Sequence, residues 1–272
     1  MVIEETLLQD VPNVTEYLAQ KTELPKGRIK HALACGALRV KKRKGGWQRL
    51  RRATASLQAG TLLSLHYDEQ LLALKAAQPL LVEDVRDYSL WFKPPGLLSQ
   101  GTEWGDHCSL LRQVELHFNN QRQVFLVHRL DRDACGLMLV AHTGAMADRL
   151  SRMFAGREME KHYRVRVVGT VDEAPFVINQ SLDGKDAVTR VQRLSVDGDT
   201  SLLDVVIETG RKHQIRRHLS ALGHPVVGDS LYGEKAPQGL HLSALSLAFE
   251  CPVRGRKIQV TADENEIHRY WR

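Results

Sequence analysis

The chain has 272 residues, a formal net charge of +6 and an apolar fraction of 43%, the balance of an ordinary globular protein large enough for a sizeable core. No run of 18 or more apolar residues occurs, and Met1-Val2-Ile3-Glu4-Glu5 lacks the basic-then-apolar layout of a secretion signal, so a cytoplasmic protein without a membrane span is expected. Cys35, Cys108, Cys135 and Cys251 form no C-x-x-C pair, and the 12 histidines include no H-E-x-x-H, which argues against a zinc knuckle, a disulfide framework and a metal centre.

The positive charge is segregated. Eleven of the 38 Lys and Arg fall between Lys26 and Arg52, where no Asp or Glu occurs, leaving 27 basic against 32 acidic residues elsewhere. Such a patch is the electrostatic footprint of a polyanion partner. Thr15 to Ala34 reads as two short helices broken at Leu24-Pro25-Lys26-Gly27, with Gly36 ending the second. Strands are expected at 37–40 and 62–67, with a basic loop from Lys41 to Arg52 between them. The order helix, helix, glycine, strand, basic loop, strand resembles the ribosomal-protein-S-four-like RNA-binding domain. That resemblance assigns phosphate contacts to Lys26, Arg28, Lys30, Arg39, Lys41, Lys42, Arg43 and Lys44. The plain alternative is a solvated charged loop. Trp47 has two readings, a stacking platform for a base or a cap on the core.

Residues 71–81 read as a linker between a first domain at 1–70 and a second at 82–272. Val82 to Phe92 is expected as one strand, followed by the tight turn Lys93-Pro94-Pro95-Gly96 and a helix at Ser109 to Glu115. The central stretch is Val127-His128-Arg129-Leu130-Asp131-Arg132-Asp133-Ala134-Cys135-Gly136, running into the apolar strand Leu137 to Val140. A charged loop anchored by a core strand can hold a carboxylate rigidly at a cleft, and Asp131 is the candidate. Taken alone, the same residues also read as a solvated turn whose charges neutralise one another. The word His-Arg-Leu-Asp before a glycine and an apolar strand resembles the signature of the RluA-type pseudouridine synthases. That family has Thr-Ser where this chain has Ala134-Cys135.

Beyond the loop, Thr143 to Gly156 reads as a helix with Met146, Leu150, Met153 and Phe154 at core spacing. Lys161 to Gly169 alternates as a strand should, and its Lys-x-Tyr places Tyr163 where the resemblance expects an active-site tyrosine. Strands at 188–194 and 202–208 flank the turn Val196-Asp197-Gly198-Asp199. In Thr209 to Pro225, Ile215, Leu219 and Leu222 share one helical stripe, with Arg216 and His213 beside it. Thr-Gly-Arg-Lys-His-Gln-Ile-Arg-Arg-His, then Gly223 to Asp229 and Tyr232-Gly233, extends the resemblance over a long third motif. Closing strands are expected at 240–249 and 258–260.

The resemblance implies an α+β fold: a mixed, largely antiparallel bent sheet with flanking helices and a central catalytic cleft. Periodicity alone supports only alternating strands and helices. It further implies a cofactor-free isomerase converting uridine to pseudouridine in RNA, with ribosomal RNA favoured, transfer RNA the other candidate, and a monomer expected. Asp131 would act at the sugar, Arg216 would hold it ionised, and Tyr163 would pack the uracil and assist proton removal at C5. His128, Arg129 and Ile215 would contact the substrate, with Arg129 filling the space of an extruded base. Two other classes stay open: a non-catalytic RNA-binding factor, and a hydrolase using Asp131 with Asp133.

Overall fold

Two separate hydrophobic cores gather two structural units in the computed structural model, which describes residues 1–271. The first unit comprises Met1–Ala76 and Gln100–Leu116, the second Ala77–Ser99 and His117 onward.

In the first unit the order is β1 (Val2–Thr6), α1 (Val14–Thr22), α2 (Lys26–Ala34), β2 (Leu38–Lys41), β3 (Gln48–Arg49), β4 (Leu62–His66), α3 (Glu69–Leu72) and α4 (Leu110–His117). Asn13 caps α1 by accepting the amide protons of Thr15 and Glu16. Leu18, Ile29 and Leu33 of the two helices are fully buried with Leu38, Leu63 and Leu65 of the strands. The sheet runs β1-β4-β2-β3, antiparallel throughout.

Residues 100–116 belong to this unit, which corrects the expected boundary that put everything after 82 in one domain. The bonds responsible are polar and distant in sequence. Asp106 pairs with Arg49 at 3.0 Å and with Arg51, and its amide donates to the Cys35 carbonyl at 3.0 Å. The expected linker is not a free tether either: Leu72 is buried in α3, and Leu80 and Leu81 already lie in a strand.

The second unit contains β5 (Leu80–Asp84), β6 (Tyr88–Lys93), β7 (Phe125–Leu126), β8 (Cys135–Ala141), α5 (Gly144–Ala155), β9 (Glu160–Val168), β10 (Phe176–Asn179), β11 (Val188–Asp197), β12 (Thr200–Ile207), α6 (Gln214–Ala221), β13 (Leu242–Glu250), β14 (Lys257–Thr261) and α7 (Glu264–Tyr270). Its ten-stranded sheet has the order β10-β11-β12-β9-β13-β8-β6-β5, with β14 on β13 and β7 on β8. The single strand expected at 82–92 is in fact the hairpin β5–β6. Arg86 takes the left-handed conformation (φ 69°) in its turn, and no Gly or Pro marks the reversal.

Every pairing in this sheet is antiparallel except β13 with β8, which meet in parallel at Ser243–Cys135 and Ala244–Gly136. Gly136 has φ 116°, and a Cβ there would run into the Ala244 backbone. That glycine lets β13 close against β8 immediately after the loop carrying Asp131.

Candidate active site

The loop 127–134 enters β8 pinned on both sides of Asp131. The Ser99 hydroxyl donates to the Leu130 carbonyl at 2.8 Å and accepts the Leu130 amide at 3.0 Å. On the other side, the Lys93 ammonium donates to the carbonyls of Pro94, Leu97 and Arg132 at 2.8–3.0 Å, and the Gly96 amide donates to the same Arg132 carbonyl. Lys93 is fully buried, which lowers its pKa to about 8, and three carbonyl dipoles satisfy its three protons. The Lys-Pro-Pro-Gly turn is thus a clamp for the aspartate loop. Ala134 and Cys135 are buried and apolar, so packing occupies the place where the resemblance expects hydroxyls.

The helix α6 is positioned from its polar side. Gln214 accepts from the Thr209 hydroxyl at 2.7 Å and the Arg211 amide, and donates to the Val188 carbonyl and the Thr189 hydroxyl. One turn on, the His218 ring sits 2.9 Å from both Thr189 Oγ1 and the Gln180 carbonyl. This i, i+4 pair ties the helix to β11 and turns Ile215 and Arg216 into the cleft. Leu222, expected in the buried stripe, lies at the helix end and is exposed.

Arg216 joins two carboxylates. Its Nη1 donates to Asp131 Oδ2 at 2.9 Å, while Nε and Nη2 grip both oxygens of Asp229 at 2.7 Å each. The bidentate partner is therefore Asp229, not Asp131, and the sequence reading missed it. Asp229 is fully buried. Burial would raise its pKa, but hydrogen bonds from Arg216 and from the Leu231 and Tyr232 amides hold it below the usual carboxylate range. Its signal in the sequence was a carboxylate closing the otherwise apolar run Pro225-Val226-Val227-Gly228.

Asp131, Tyr163, Arg216, Ile215, His128 and Arg129 all line one cleft of about 620 Å³. Tyr163 is nearly buried, and desolvation, helped by the Asp131 charge, pushes its pKa well up. It enters as a neutral phenol, suited to packing and hydrogen bonding rather than to taking a proton. His128, expected to touch substrate, is already committed to the fold. Its Nε2 accepts the Leu139 amide at 2.8 Å, its ring stacks on Phe154 at 4.3 Å, and burial holds its pKa at about 3.

His213 was noted beside the helical stripe but given no role. It sits in the left-handed region (φ 53°) just before α6, with Nε2 3.7 Å from Asp131 Oδ1 and Nδ1 3.0 Å from the Tyr232 hydroxyl. Burial lowers its pKa, so the ring is neutral. The ring thus lies between the Asp131 carboxylate and the Tyr232 hydroxyl.

The basic residues expected to contact RNA belong to the first unit and are not equivalent. Lys26 pairs with Glu16, Arg28 with Glu69 and Arg39 with Glu103 at 2.7–3.0 Å. Lys30, Lys41, Lys42, Arg43 and Lys44 enter no ion pair among the described residues. Trp47 is exposed and has the Arg39 guanidinium 5.2 Å from its ring. The described residues contain no His, Cys, Asp and Glu grouping that could hold a metal.

Residues 87–221 match the RNA pseudouridylate synthase family. The tRNA pseudouridine synthase C of Vibrio vulnificus is 30% identical over 212 residues, 64% of this chain and 86% of that protein. The ribosomal large subunit pseudouridine synthase D of Nitrosomonas europaea is 34% identical over 161 residues, 53% of this chain and 47% of that one. The structure of human RNA pseudouridylate synthase domain containing 1 shares the fold, with a TM-score of 0.60 at 24% identity over 71% of this chain and 88% of that one. The chain belongs to the RNA pseudouridine synthase family. It spans 54–65% of the length of the uncharacterized RNA pseudouridine synthases of two Mycoplasma species and Chloroflexus aurantiacus that it matches.

Two predictions follow from the site's electrostatics. Asp229→Asn leaves the Arg216 fork buried opposite an amide and should cost about 3–5 kcal/mol in urea denaturation. Asp131→Asn, whose side chain keeps 20% exposure, should cost much less. A larger loss for Asp131→Asn would reverse the assignment of the anchor.

The second concerns acid stability. His128 is held neutral in the fold down to about pH 3 but titrates near 6.5 when unfolded. Between those values the unfolded chain binds the extra proton, so stability falls as pH drops through that window. His128→Gln keeps an acceptor for the Leu139 amide without titrating. It should reduce the loss of stability between pH 6.5 and 3, leaving the slope due to His142, His213, His218 and His241, whose pKa values burial also lowers. An unchanged slope in pH-dependent denaturation would contradict the buried neutral state.

Proposed function

We propose that this chain isomerises specific uridines in structured RNA to pseudouridine, with Asp131 as the essential carboxylate, and that ribosomal RNA is favoured over transfer RNA. The observation that carries the reading is a carboxylate bound by Arg216 at 2.9 Å at the wall of a cleft it shares with Tyr163 and Ile215. The reaction breaks N1–C1′, turns the uracil and joins C5 to C1′; N1 gains a proton and C5 loses one, so the RNA mass is unchanged. It needs a carboxylate at the sugar, either as nucleophile towards C1′ or as base towards the 2′ position.

Arg216 fixes the direction of the Asp131 carboxylate through a charge-assisted hydrogen bond, and Tyr163 and Ile215 supply apolar walls for the base. Arg129, exposed at the cleft, has the reach to occupy the place of a uridine drawn from its stack. The first unit serves as an S-four-like RNA-binding domain, presenting Lys30 and Lys41 to Lys44 to phosphates. The preference for ribosomal RNA rests on that separate basic unit, while family relatives carry both ribosomal and transfer RNA names.

Tritium release from RNA labelled at uracil C5 tests the chemistry. Asp131→Asn preserves size but removes charge and basicity, so release should fall below detection while RNA binding persists. Release near the parent rate would sink the role of Asp131. If the parent protein leaves RNA unaltered, the chain is a non-catalytic RNA-binding factor; free uracil would instead mark a hydrolase.

Replacing Lys41, Lys42, Arg43 and Lys44 with Ala should weaken RNA binding and flatten its dependence on salt, because each lost phosphate contact releases fewer counterions. Turnover at saturating RNA should change little. An unaltered salt slope would show the run to be a solvated loop.

A further inference from the structure

One cation lining the cleft stands outside the Asp131 network. There Lys161 is 7% exposed and lies on the same face of β9 as Tyr163, two residues further along. Both line the cleft. Yet the ammonium has neither a carboxylate in ion-pair range nor an acceptor in hydrogen-bond reach among the described residues. This sets it apart from the molecule's other buried cations: Lys93 has three carbonyls and Arg216 two carboxylates. Burial lowers the Lys161 pKa, and the charges felt around it are cationic or neutral, those of Arg157 and His128.

A desolvated cation with no internal partner is costly, and it faces a space that ligand can enter. Two exposed arginines also line the cleft, and the charge of one of them, Arg157, acts on Lys161. Arg129 is exposed on the aspartate loop, and Arg157 follows the helix end at Gly156. Arg157 adopts the left-handed conformation (φ 62°), where a glycine is usual, while the Glu158 amide closes back on the Met153 carbonyl at 3.0 Å. The helix end therefore fixes the direction in which the Arg157 chain leaves. Acidic side chains lining the cleft do not compensate these charges, since Asp131 is bound by Arg216 and Glu208 by Arg190 at 2.8 Å.

We propose that Lys161, with Arg157 at the rim, forms a phosphate subsite that takes a backbone phosphate of the RNA flanking the uridine held over Asp131. The inference rests on the proposed function for the identity of the strand, but the ligand class follows from the cations alone. Lys161 and Arg157 offer ammonium and guanidinium donors to an anion, and neither could pair favourably with a second cation or an apolar group. As β9 carries Lys161 and Tyr163 on one face, the subsite and the base-packing tyrosine are held in fixed relation, so gripping the phosphate sets the register of the nucleotide.

The test uses the full chain and two small probes, uridine and uridine 3′,5′-bisphosphate, with affinities measured by NMR titration at fixed salt. The bisphosphate should bind about tenfold or more tightly than the nucleoside, the effect of one charge-assisted hydrogen bond. Lys161→Met should abolish most of that preference without weakening uridine, and Lys161→Arg should retain it. Methionine matches the length and needs no acceptor, so folding is preserved. Arg157→Gln, at the exposed rim, should lower the preference in the same sense and gives an independent reading. No preference in the parent protein, or one that survives both Lys161→Met and Arg157→Gln, overturns the proposal. These measurements need no turnover, so a chain that binds as stated but makes no pseudouridine would refute the proposed function and leave the subsite intact.

Discussion

One guanidinium, that of Arg216, is shared between two carboxylates of unlike exposure, and the geometry of the cleft depends on it. Asp229 is fully buried and takes two of the arginine's donors; Asp131 faces the cleft and takes one. A buried carboxylate alone would be expelled or protonated, and a buried arginine alone would be destabilising. Together they form a satisfied pair with a donor to spare, and that spare donor holds Asp131. The inner carboxylate fixes the fork, and the outer one faces the cleft with its second oxygen 3.7 Å from His213 Nε2.

The aspartate loop is held with similar economy. Ser99 grips Leu130 and Lys93 grips Arg132, so the backbone on both sides of Asp131 is tied to the segment 93–99. His128 secures the loop's start by accepting a β8 amide, which it can do only while neutral. Gly136 then admits the β13 backbone. The two strands meet in parallel at the one point in this sheet where such a pairing occurs, directly behind the loop. Loops usually carry function at the expense of order. Here the order is restored by contacts from residues about thirty positions upstream and a hundred downstream.

The two units divide the electrostatic work. The first concentrates cations on α2 and the loop between β2 and β3, and Arg49 and Arg51 are spent internally on Asp106. The remaining lysines of that loop stay available to a polyanion. In the second unit, the cleft pairs its acidic residues within the protein and leaves Lys161 and the rim arginines without carboxylates. Affinity for a charged strand and selection of one nucleotide are different tasks.

Much of this was legible in the residues themselves. The helices α1, α2, α5 and α6 follow from apolar spacing and from Gly and Thr at their ends, and β8, β9, β11 and β12 from alternation or an unbroken apolar run. The loop aspartate, Tyr163 and Arg216 were recognisable by local words, and the structure brings all three to one cleft. What could not be read was any partnership whose members are far apart in sequence. The hairpin at Arg86 has no Gly or Pro to announce it, and residues 100–116 join the first unit through Asp106, a carboxylate like any other in the chain. Asp229 as the bidentate partner, His128 as a neutral acceptor and Lys161 as an unpartnered cation are likewise properties of surroundings. Local sequence determines which backbone conformations and buried faces are favourable. Only the folded chain decides which charges meet, because pairing energies depend on burial and on distances that no spacing along the chain encodes.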